Sequence, residues 1–317
     1  MPELPEVETI ARGLSRRVTG DVIESVWLGS KPEPFKSSAA EIVATLESRR
    51  ITGVRRVGKH IVFDLEQDNM TRPVLSAREP KKNKGKLARP VQGRSRPQRQ
   101  SKNSVPGKSV PDKSVRAIES RAQWIVHLGM TGRLVVSPPD AEIPKHTHAV
   151  VKLVSGRELR FVDPRRFGRL SVAHSFEVGG AEPLEVQLDH FVSLFNGRKT
   201  PIKSALLNQN LLRGVGNIYA DESLFRAGVR PRRRAASLTR EDLRRLYLAV
   251  QEVLQEAISA GGSSVSDYVD ADGEEGFFQF QHRVYGREGE PCFVCKTPIK
   301  RVVIAGRSSH YCPKCQN

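Results

Sequence analysis

The chain has 317 residues, and its 52 Lys and Arg against 35 Asp and Glu give a formal net charge of +17 at pH 7. This length is sufficient for two domains with separate cores, and the charge favours a polyanionic partner, either nucleic acid or an anionic membrane surface. The sequence lacks both a run of roughly 18 to 20 apolar residues and a basic, apolar leader, which predicts a cytoplasmic protein without a membrane partner.

The N-terminus, MPELPEVETI, holds two prolines and two glutamates within its first six residues. Because Met1 precedes a small residue, we expect it to be removed, which leaves the secondary amine of Pro2 as the first group of the chain. Apolar residues from Val7 to Val18 recur at helical spacing, and Pro5 suits a first helical turn. The amine would therefore stand just ahead of a buried helix.

The rest of the first half is predicted to be mainly β. A second short helix is expected after Ser38, and beyond it the apolar residues alternate, as they do in strands. Strands are predicted at 61–65 and 124–128, and a hairpin at 149–162. We predict an α+β protein whose residues 1–176 form an antiparallel β-sandwich with flanking helices.

A basic segment interrupts this half. Residues 78–116 contain 13 Lys or Arg and 2 acidic residues and no aromatic residue, so they hold +11 of the net charge of +17. Such a composition cannot form a core, and we predict a disordered insert over about residues 70–120. The alternative is that the segment holds DNA nonspecifically through its charge.

The second half is predicted to be helical over residues 177–280. Helices are expected at 202–207 and 218–227, and a longer one follows Thr239 and ends at Gly261. Between the first two, the turn RGVGN has glycines that let the backbone approach a ligand, and the following helix directs its free N–H groups there. That arrangement suits phosphate, although glycine turns between helices are also common structural features.

All four cysteines lie in a C-terminal ribbon, predicted over residues 281–317, with the spacing of a four-thiolate zinc site. The ligands would be Cys292, Cys295, Cys312 and Cys315. Four thiolates leave no open position for water, so one zinc ion here would be structural. The alternative is two disulfides, which are typical of secreted proteins. The hairpin between the cysteine pairs is basic and is a candidate DNA contact.

The segment FVDPRRFGRL (161–170) places two arginines beside an aromatic residue. An exposed loop of this kind could fill the gap left when a nucleotide leaves a duplex. The alternative is an ion pair between Asp163 and an arginine, with Phe167 in the core.

Several of these motifs occur in one order that resembles the formamidopyrimidine-DNA glycosylase family. They are MPELPEVE, GKH at 58–60, HLGMTGRL, KHTH, DPRRFG, PIK, GVGNIYADE and YGREGEPC followed by GRSSHYCPKC. They cover nearly the whole chain except about residues 70–120, and LPEV is more similar to this family than to the related endonuclease VIII. The resemblance implies a helix-two-turn-helix element and a monomer that acts on double-stranded DNA containing oxidised purines.

The resemblance also implies a bifunctional glycosylase and lyase that excises 8-oxoguanine and formamidopyrimidines and cuts the strand by β,δ-elimination. Pro2 would be the nucleophile and form a Schiff base, Glu3 the general acid/base, and Glu6 a supporting residue. Lys59 would lie near the phosphate and sugar of the damaged nucleotide. The zinc ion would take no part in the chemistry.

By the same resemblance, two further sets of residues would contact DNA. The residues that fill the gap would be Met130, Arg165 and Phe167, with Arg165 facing the orphaned cytosine. The phosphate contacts would be Lys203, Asn217 and Arg307. Residues 261–279 resemble a mobile loop that closes over the flipped base.

Two other functions remain open from the sequence. One is a glycosylase of the same superfamily that excises oxidised pyrimidines. The other is a zinc-ribbon protein that only binds DNA, in which the N-terminal amine has no catalytic role.

Overall fold

A computed structural model describes residues 1–68, 121–264 and 268–317 of the chain. Its helices are α1 (Leu4–Val18), α2 (Ala39–Leu46), α3 (Leu188–Phe195), α4 (Ile202–Leu206), α5 (Asn217–Arg226) and α6 (Arg240–Ser259). Its strands are β1 (Ile23–Leu28), β2 (Arg49–Val57), β3 (His60–Gln67), β4 (Arg121–His127), β5 (Arg133–Ser137), β6 (Thr147–Leu153), β7 (Glu158–Val162), β8 (Arg169–Ala173), β9 (Lys300–Ile304) and β10 (Arg307–Tyr311).

The N-terminal part is the expected antiparallel β-sandwich. One sheet has the strand order β2-β3-β4-β8 and the other β1-β6-β7-β5, and every neighbouring pair is antiparallel. Apolar residues from both sheets and from one face of α1 form a single buried core. Strand side chains alternate between the two faces of a sheet, and in both sheets the side chains that face this core are predominantly apolar.

The C-terminal part is helical and ends in a small ribbon, also as expected. A reciprocal capping box starts α6, in which the Thr239 hydroxyl accepts a hydrogen bond from the Asp242 N–H at 3.1 Å and the Asp242 carboxylate accepts one from the Thr239 N–H. The β9–β10 hairpin packs against α5. No helix among the described residues is long and apolar enough to cross a bilayer.

Helix α1 joins the two cores. Leu4 packs in the helical core, whereas Val7 and the later apolar residues of α1 pack in the sandwich core. An ion-pair cluster reinforces this joint: Arg56 contacts Glu8 and Glu182, each at 2.7 Å, and Arg213 contacts Glu182 at 3.2 Å. The start of the chain is therefore held between the domains.

The predicted insert falls on residues that lie outside the described part of the chain. The strands that flank it are described: Glu66 of β3 pairs with Arg121 of β4, and His60 pairs with His127 at the other end. Since each strand residue spans about 3.3 Å, the attachment points of the insert are roughly 20 Å from the end of the sheet that carries Lys59.

Candidate active site

The N-terminal residues lie where the two cores meet, since Leu4 belongs to the helical core and Val7 to the sandwich core. Pro2 is buried, whereas the Met1 side chain that precedes it is 46% exposed. The Leu4 N–H donates to the Gly214 carbonyl at 3.0 Å and so ties the terminus to the turn before α5. Removal of the exposed Met1 would place the Pro2 amine in this protected position.

Glu3 lies directly beside Pro2 and against the N-terminus of α5. Its Oε1 accepts a hydrogen bond from the Ile218 N–H at 3.2 Å, and its Oε2 is buried without a partner among the described residues. Burial raises the pKa of Glu3 to about 7, although the nearby Lys59 charge opposes the shift. A carboxyl with that pKa exchanges a proton near neutral pH, as a general acid/base must.

The glycine turn makes room for this carboxyl. A Cβ at Gly216 would overlap the carboxyl group of Glu3, and one at Gly214 would lie 2.9 Å from Leu4 Cδ1. Gly214 also has a φ of +90°, which side chains rarely adopt. The RGVGN turn therefore packs closely against residues 3 and 4 of the chain itself.

Glu6 supports the terminus by accepting hydrogen bonds from three directions. Its Oε2 accepts from the Glu3 N–H at 2.7 Å, and its Oε1 accepts from the Ser263 N–H at 2.8 Å and from the Tyr219 hydroxyl. Burial raises its pKa. Neither Tyr219 nor Ser263 was singled out from the sequence, although Tyr219 lies within the GVGNIYADE motif and Ser263 within the predicted loop over 261–279.

Lys59 lies in the turn between β2 and β3 and faces Glu3. Burial lowers the pKa of Lys59, the Glu3 carboxylate opposes that shift, and the Arg307 charge adds to it. Arg307, exposed at the start of β10, acts on the pKa of Lys203 in the same direction. Cations from the sandwich, the helical domain and the ribbon thus lie close to the terminus, an arrangement suited to a DNA phosphate.

The polar ends of the Lys203 and Asn217 side chains are buried, whereas a side chain that contacts a DNA phosphate needs an exposed polar end. Lys203 is 0% exposed, and its Nζ lies 2.7 Å from Asp221 Oδ1 and donates to the Ser308 carbonyl at 2.6 Å. The Oδ1 of Asn217, the first residue of α5, is buried without a partner among the described residues. Their roles at phosphate stay predictions.

The three residues predicted to fill the gap are brought together at one surface. Met130 is 40% exposed, Phe167 is 47% exposed, and the Arg165 guanidinium lies 4.7 Å from the centre of the Phe167 ring. The alternative of a buried Phe167 with Asp163 in an ion pair is wrong: among residues 1–68, 121–264 and 268–317, Asp163 has only hydrogen-bond partners.

The cysteines form the predicted metal site. The four Sγ atoms lie within 4.8 Å of one another, at 3.4 Å for Cys295 and Cys312 and 3.9 Å for Cys292 and Cys315. Four thiolates about 2.3 Å from one tetrahedral zinc ion would be roughly 3.8 Å apart, which fits these distances. The disulfide alternative is wrong, since all four cysteines are free.

A small cavity adjoins the terminus and is lined by Pro2, Glu6, Met130, Ile218 and Tyr268, among others. Its volume of about 30 Å³ accommodates water but not a purine base. Part of the predicted loop over 261–279, residues 265–267, lies outside the described residues. At the start of this loop, Gly262 packs close to the Glu6 side chain: a Cβ added to Gly262 would lie 3.0 Å from Glu6 Cγ.

Three family models match the chain. The model described as the formamidopyrimidine-DNA glycosylase N-terminal domain matches residues 1–170, and the formamidopyrimidine-DNA glycosylase H2TH domain matches residues 180–269. A zinc finger found in FPG and IleRS matches residues 289–317.

Named relatives and solved structures agree with these matches. The formamidopyrimidine-DNA glycosylase of Solibacter usitatus is 40% identical over 324 residues, covering 100% of this chain and 99% of the relative. The crystal structure of MutM (Fpg) from Thermus thermophilus is 37% identical with a TM-score of 0.74, covering 99% of this chain and 98% of that one. A structure of MutM in complex with DNA containing carbocyclic 8-oxo-G is 28% identical with a TM-score of 0.76, covering 100% of both chains.

Proposed function

The chain belongs to the formamidopyrimidine-DNA glycosylase family, and we propose that the amine of Pro2, freed by removal of Met1, is its nucleophile. The protein is a base-excision repair enzyme, a bifunctional glycosylase and lyase for abasic sites, and its substrate is duplex DNA with oxidised purines such as 8-oxoguanine and formamidopyrimidines. The observation that carries the assignment of Pro2 is its burial beside Glu3, whose pKa is raised to about 7.

The chemistry follows from these two groups. The neutral amine attacks the sugar C1′, and the damaged base leaves with the electrons of its bond to C1′ and takes up the proton that the amine loses. The sugar ring then opens to give an iminium on the deoxyribose. Glu3 in its protonated form donates to the sugar ring oxygen as the ring opens, and as a carboxylate it accepts a proton during elimination. The iminium acidifies the C2′ proton, so β- and then δ-elimination release both strand ends.

The remaining residues hold the DNA. Lys59 and Arg307 contact phosphates near the damaged nucleotide, with Asn217 and Lys203 supporting them from the helical domain. Met130, Arg165 and Phe167 occupy the gap, and Arg165 faces the orphaned cytosine. The four cysteines hold one structural zinc ion, which keeps the hairpin with Arg307 folded against α5.

We assign three domains, at residues 1–176, 177–280 and 281–317, and a cytoplasmic, DNA-associated location. The first boundary follows Ala173, where β8 ends. The location is supported by the DNA substrate and by four free thiols that serve as zinc ligands, which a reducing compartment preserves.

The test of Pro2 is borohydride trapping. The enzyme is incubated with a duplex containing 8-oxoguanine opposite cytosine, with Pro2→Gly alongside, and the N-terminus is identified by mass spectrometry. We expect a covalent adduct that maps to Pro2 and is lost in the variant. A thymine glycol duplex, run in parallel, separates oxidised-purine from oxidised-pyrimidine excision.

Absence of an adduct from protein that has lost Met1 and contains zinc would refute the role of Pro2. If that protein still bound the duplex, the chain would only bind DNA. An adduct with thymine glycol but not with 8-oxoguanine would refute the assignment of oxidised purines as substrate.

A further inference from the structure

Asp163 is a buried carboxylate immediately after β7, between the two loops that carry Met130, Arg165 and Phe167. Its side chain is 0% exposed. No cation among the described residues forms an ion pair with it: the neighbouring Arg166 pairs with Glu33 instead, at 2.9 Å. A buried charge without an ion-pair partner is costly unless hydrogen bonds compensate for it.

Three hydrogen bonds to Asp163 come from the two loops. Oδ1 accepts from the Thr131 hydroxyl at 2.6 Å and from the Arg165 N–H at 3.2 Å. Oδ2 accepts from the Gly168 N–H at 2.8 Å. Because Thr131 follows Met130 directly, a single carboxylate links the Met130 loop to both ends of the segment from Arg165 to Gly168.

The loop backbones are also in direct contact. Gly129 has a φ of +66°, and a Cβ there would lie 2.5 Å from the Phe167 carbonyl carbon and 2.6 Å from the Gly168 nitrogen. Only glycine permits this approach. The loops therefore pack backbone against backbone, with Asp163 joining them from the buried side and Met130, Arg165 and Phe167 exposed on the other.

We propose that Asp163 is a positioning residue that holds Met130, Arg165 and Phe167 as one rigid unit and so determines discrimination for the base opposite the lesion. This inference rests on the proposed function, in which Arg165 faces the orphaned base. A charged acceptor suits the task because hydrogen bonds to a carboxylate are stronger than those between neutral groups. A guanidinium displaced by a fraction of an ångström no longer presents its paired donors to one particular base.

The experiment compares Asp163→Ala, Asp163→Asn and Thr131→Val with the unmodified enzyme. Thr131→Val removes only the bond between the loops and leaves both backbone bonds to Asp163. The matched control is Glu158→Gln, which alters a buried carboxylate of the same β7 strand that pairs with Arg160 at 2.8 Å, away from the loops.

Single-turnover excision is measured on 8-oxoguanine opposite cytosine and opposite adenine, and strand cleavage on a preformed abasic site. We expect Asp163→Ala to slow excision opposite cytosine by roughly 10- to 100-fold, as displacement of a positioned group does, and to bring the rates opposite cytosine and adenine closer together. Cleavage at the preformed site, which needs no base extruded, should change little. Asp163→Asn and Thr131→Val should shift the ratio in the same direction by less, and Glu158→Gln should leave it unchanged.

A second readout needs no cleavage. With 2-aminopurine opposite a tetrahydrofuran abasic analogue, binding of the unmodified enzyme should change the fluorescence as the gap is filled, and Asp163→Ala should reduce that change at saturating protein. Loss of excision, cleavage and binding in equal proportion, as expected of simple destabilisation, would overturn the inference. So would an unaltered ratio in Asp163→Ala, or no preference for cytosine in the unmodified enzyme. If the unmodified enzyme excised no 8-oxoguanine, the proposed function would fail, and the fluorescence would still decide the role of Asp163.

Discussion

The buried ion pair of Lys203 and Asp221 permits a direct test of what Lys203 does. Both side chains are 0% exposed, with 2.7 Å between Lys203 Nζ and Asp221 Oδ1. Asp221 also accepts from the Ser309 hydroxyl at 3.1 Å and from the His310 N–H at 2.9 Å, so the pair joins the helical domain to the ribbon. Lys203→Met would leave this carboxylate buried without its cation.

The expected cost follows from that geometry. Removing one partner of a buried ion pair destabilises a protein by about 3 to 5 kcal/mol, because the remaining charge stays desolvated. Lys203→Met should therefore lower the free energy of unfolding of the C-terminal part by about that amount. Lys203→Met with Asp221→Asn should recover part of the loss, because the uncompensated charge is then gone.

The assay is urea unfolding at fixed zinc concentration, followed by the salt dependence of DNA binding for each folded variant. A phosphate contact contributes about 0.9 to the slope of log affinity against log salt concentration. If Lys203→Met left the free energy of unfolding unchanged and reduced this slope by about 0.9, Lys203 would be a phosphate contact and the reasoning from its burial would be wrong.

Three further predictions concern the terminus and the ribbon. The folded-state pKa of Glu3, about 7, lies above its ordinary value of 4.5, so this group's contribution to stability is lost as pH rises from about 4.5 to 7. Glu3→Gln should thus increase the free energy of unfolding by about 3 kcal/mol at pH 8 and change it little at pH 4.5. Unfolding measurements at the two pH values test this, and the same substitution should abolish excision. Gly216→Ala should displace the Glu3 carboxyl and so reduce the rate of single-turnover excision by roughly 100-fold. The control is Gly53→Ala, which should leave the rate unchanged because the nearest atom to the added Cβ is 3.9 Å away. Equal rates in the two variants would contradict this account. Cys295→Ser should lower zinc content and weaken DNA binding, and retention of full affinity without zinc would show that the position of Arg307 does not depend on the metal.

Local signals explain which elements could be predicted from the sequence. Helix α6 was predicted because Thr239 and Asp242 form a capping box that can be read from four consecutive residues. Helix α3 was not predicted, because its N-cap residue, Gln187, makes no side-chain capping bond and the helix has only two turns. The metal site was predictable because the spacing of its ligands is itself the signal.

The burial of Lys203 could not be predicted in this way. Its partners are Asp221 on α5 and the carbonyl of Ser308, which is 105 residues away along the chain. Nothing near Lys203 in the sequence indicates either contact. The same holds for Glu6, where Tyr219 and Ser263 donate from distant segments. The sequence could indicate that Lys203 and Glu6 were functional candidates, but the partners that determine how each can act depend on the tertiary structure.

The packing of α1 connects these contacts to the reaction. Leu4 is held in the helical core, and Glu3 and Glu6 accept hydrogen bonds from Ile218, Tyr219 and Ser263 of the same domain. Lys59 and the gap-filling loops belong to the sandwich. Glu3 and Glu6, beside the proposed nucleophile, are thus tied to the helical domain, whereas the sandwich carries Lys59 and the loops proposed to fill the gap. A change in the angle between the domains would move the Pro2 amine relative to Lys59, and the ion pairs of Arg56 with Glu8 and Glu182 oppose such a change because they link the sandwich to the helical domain.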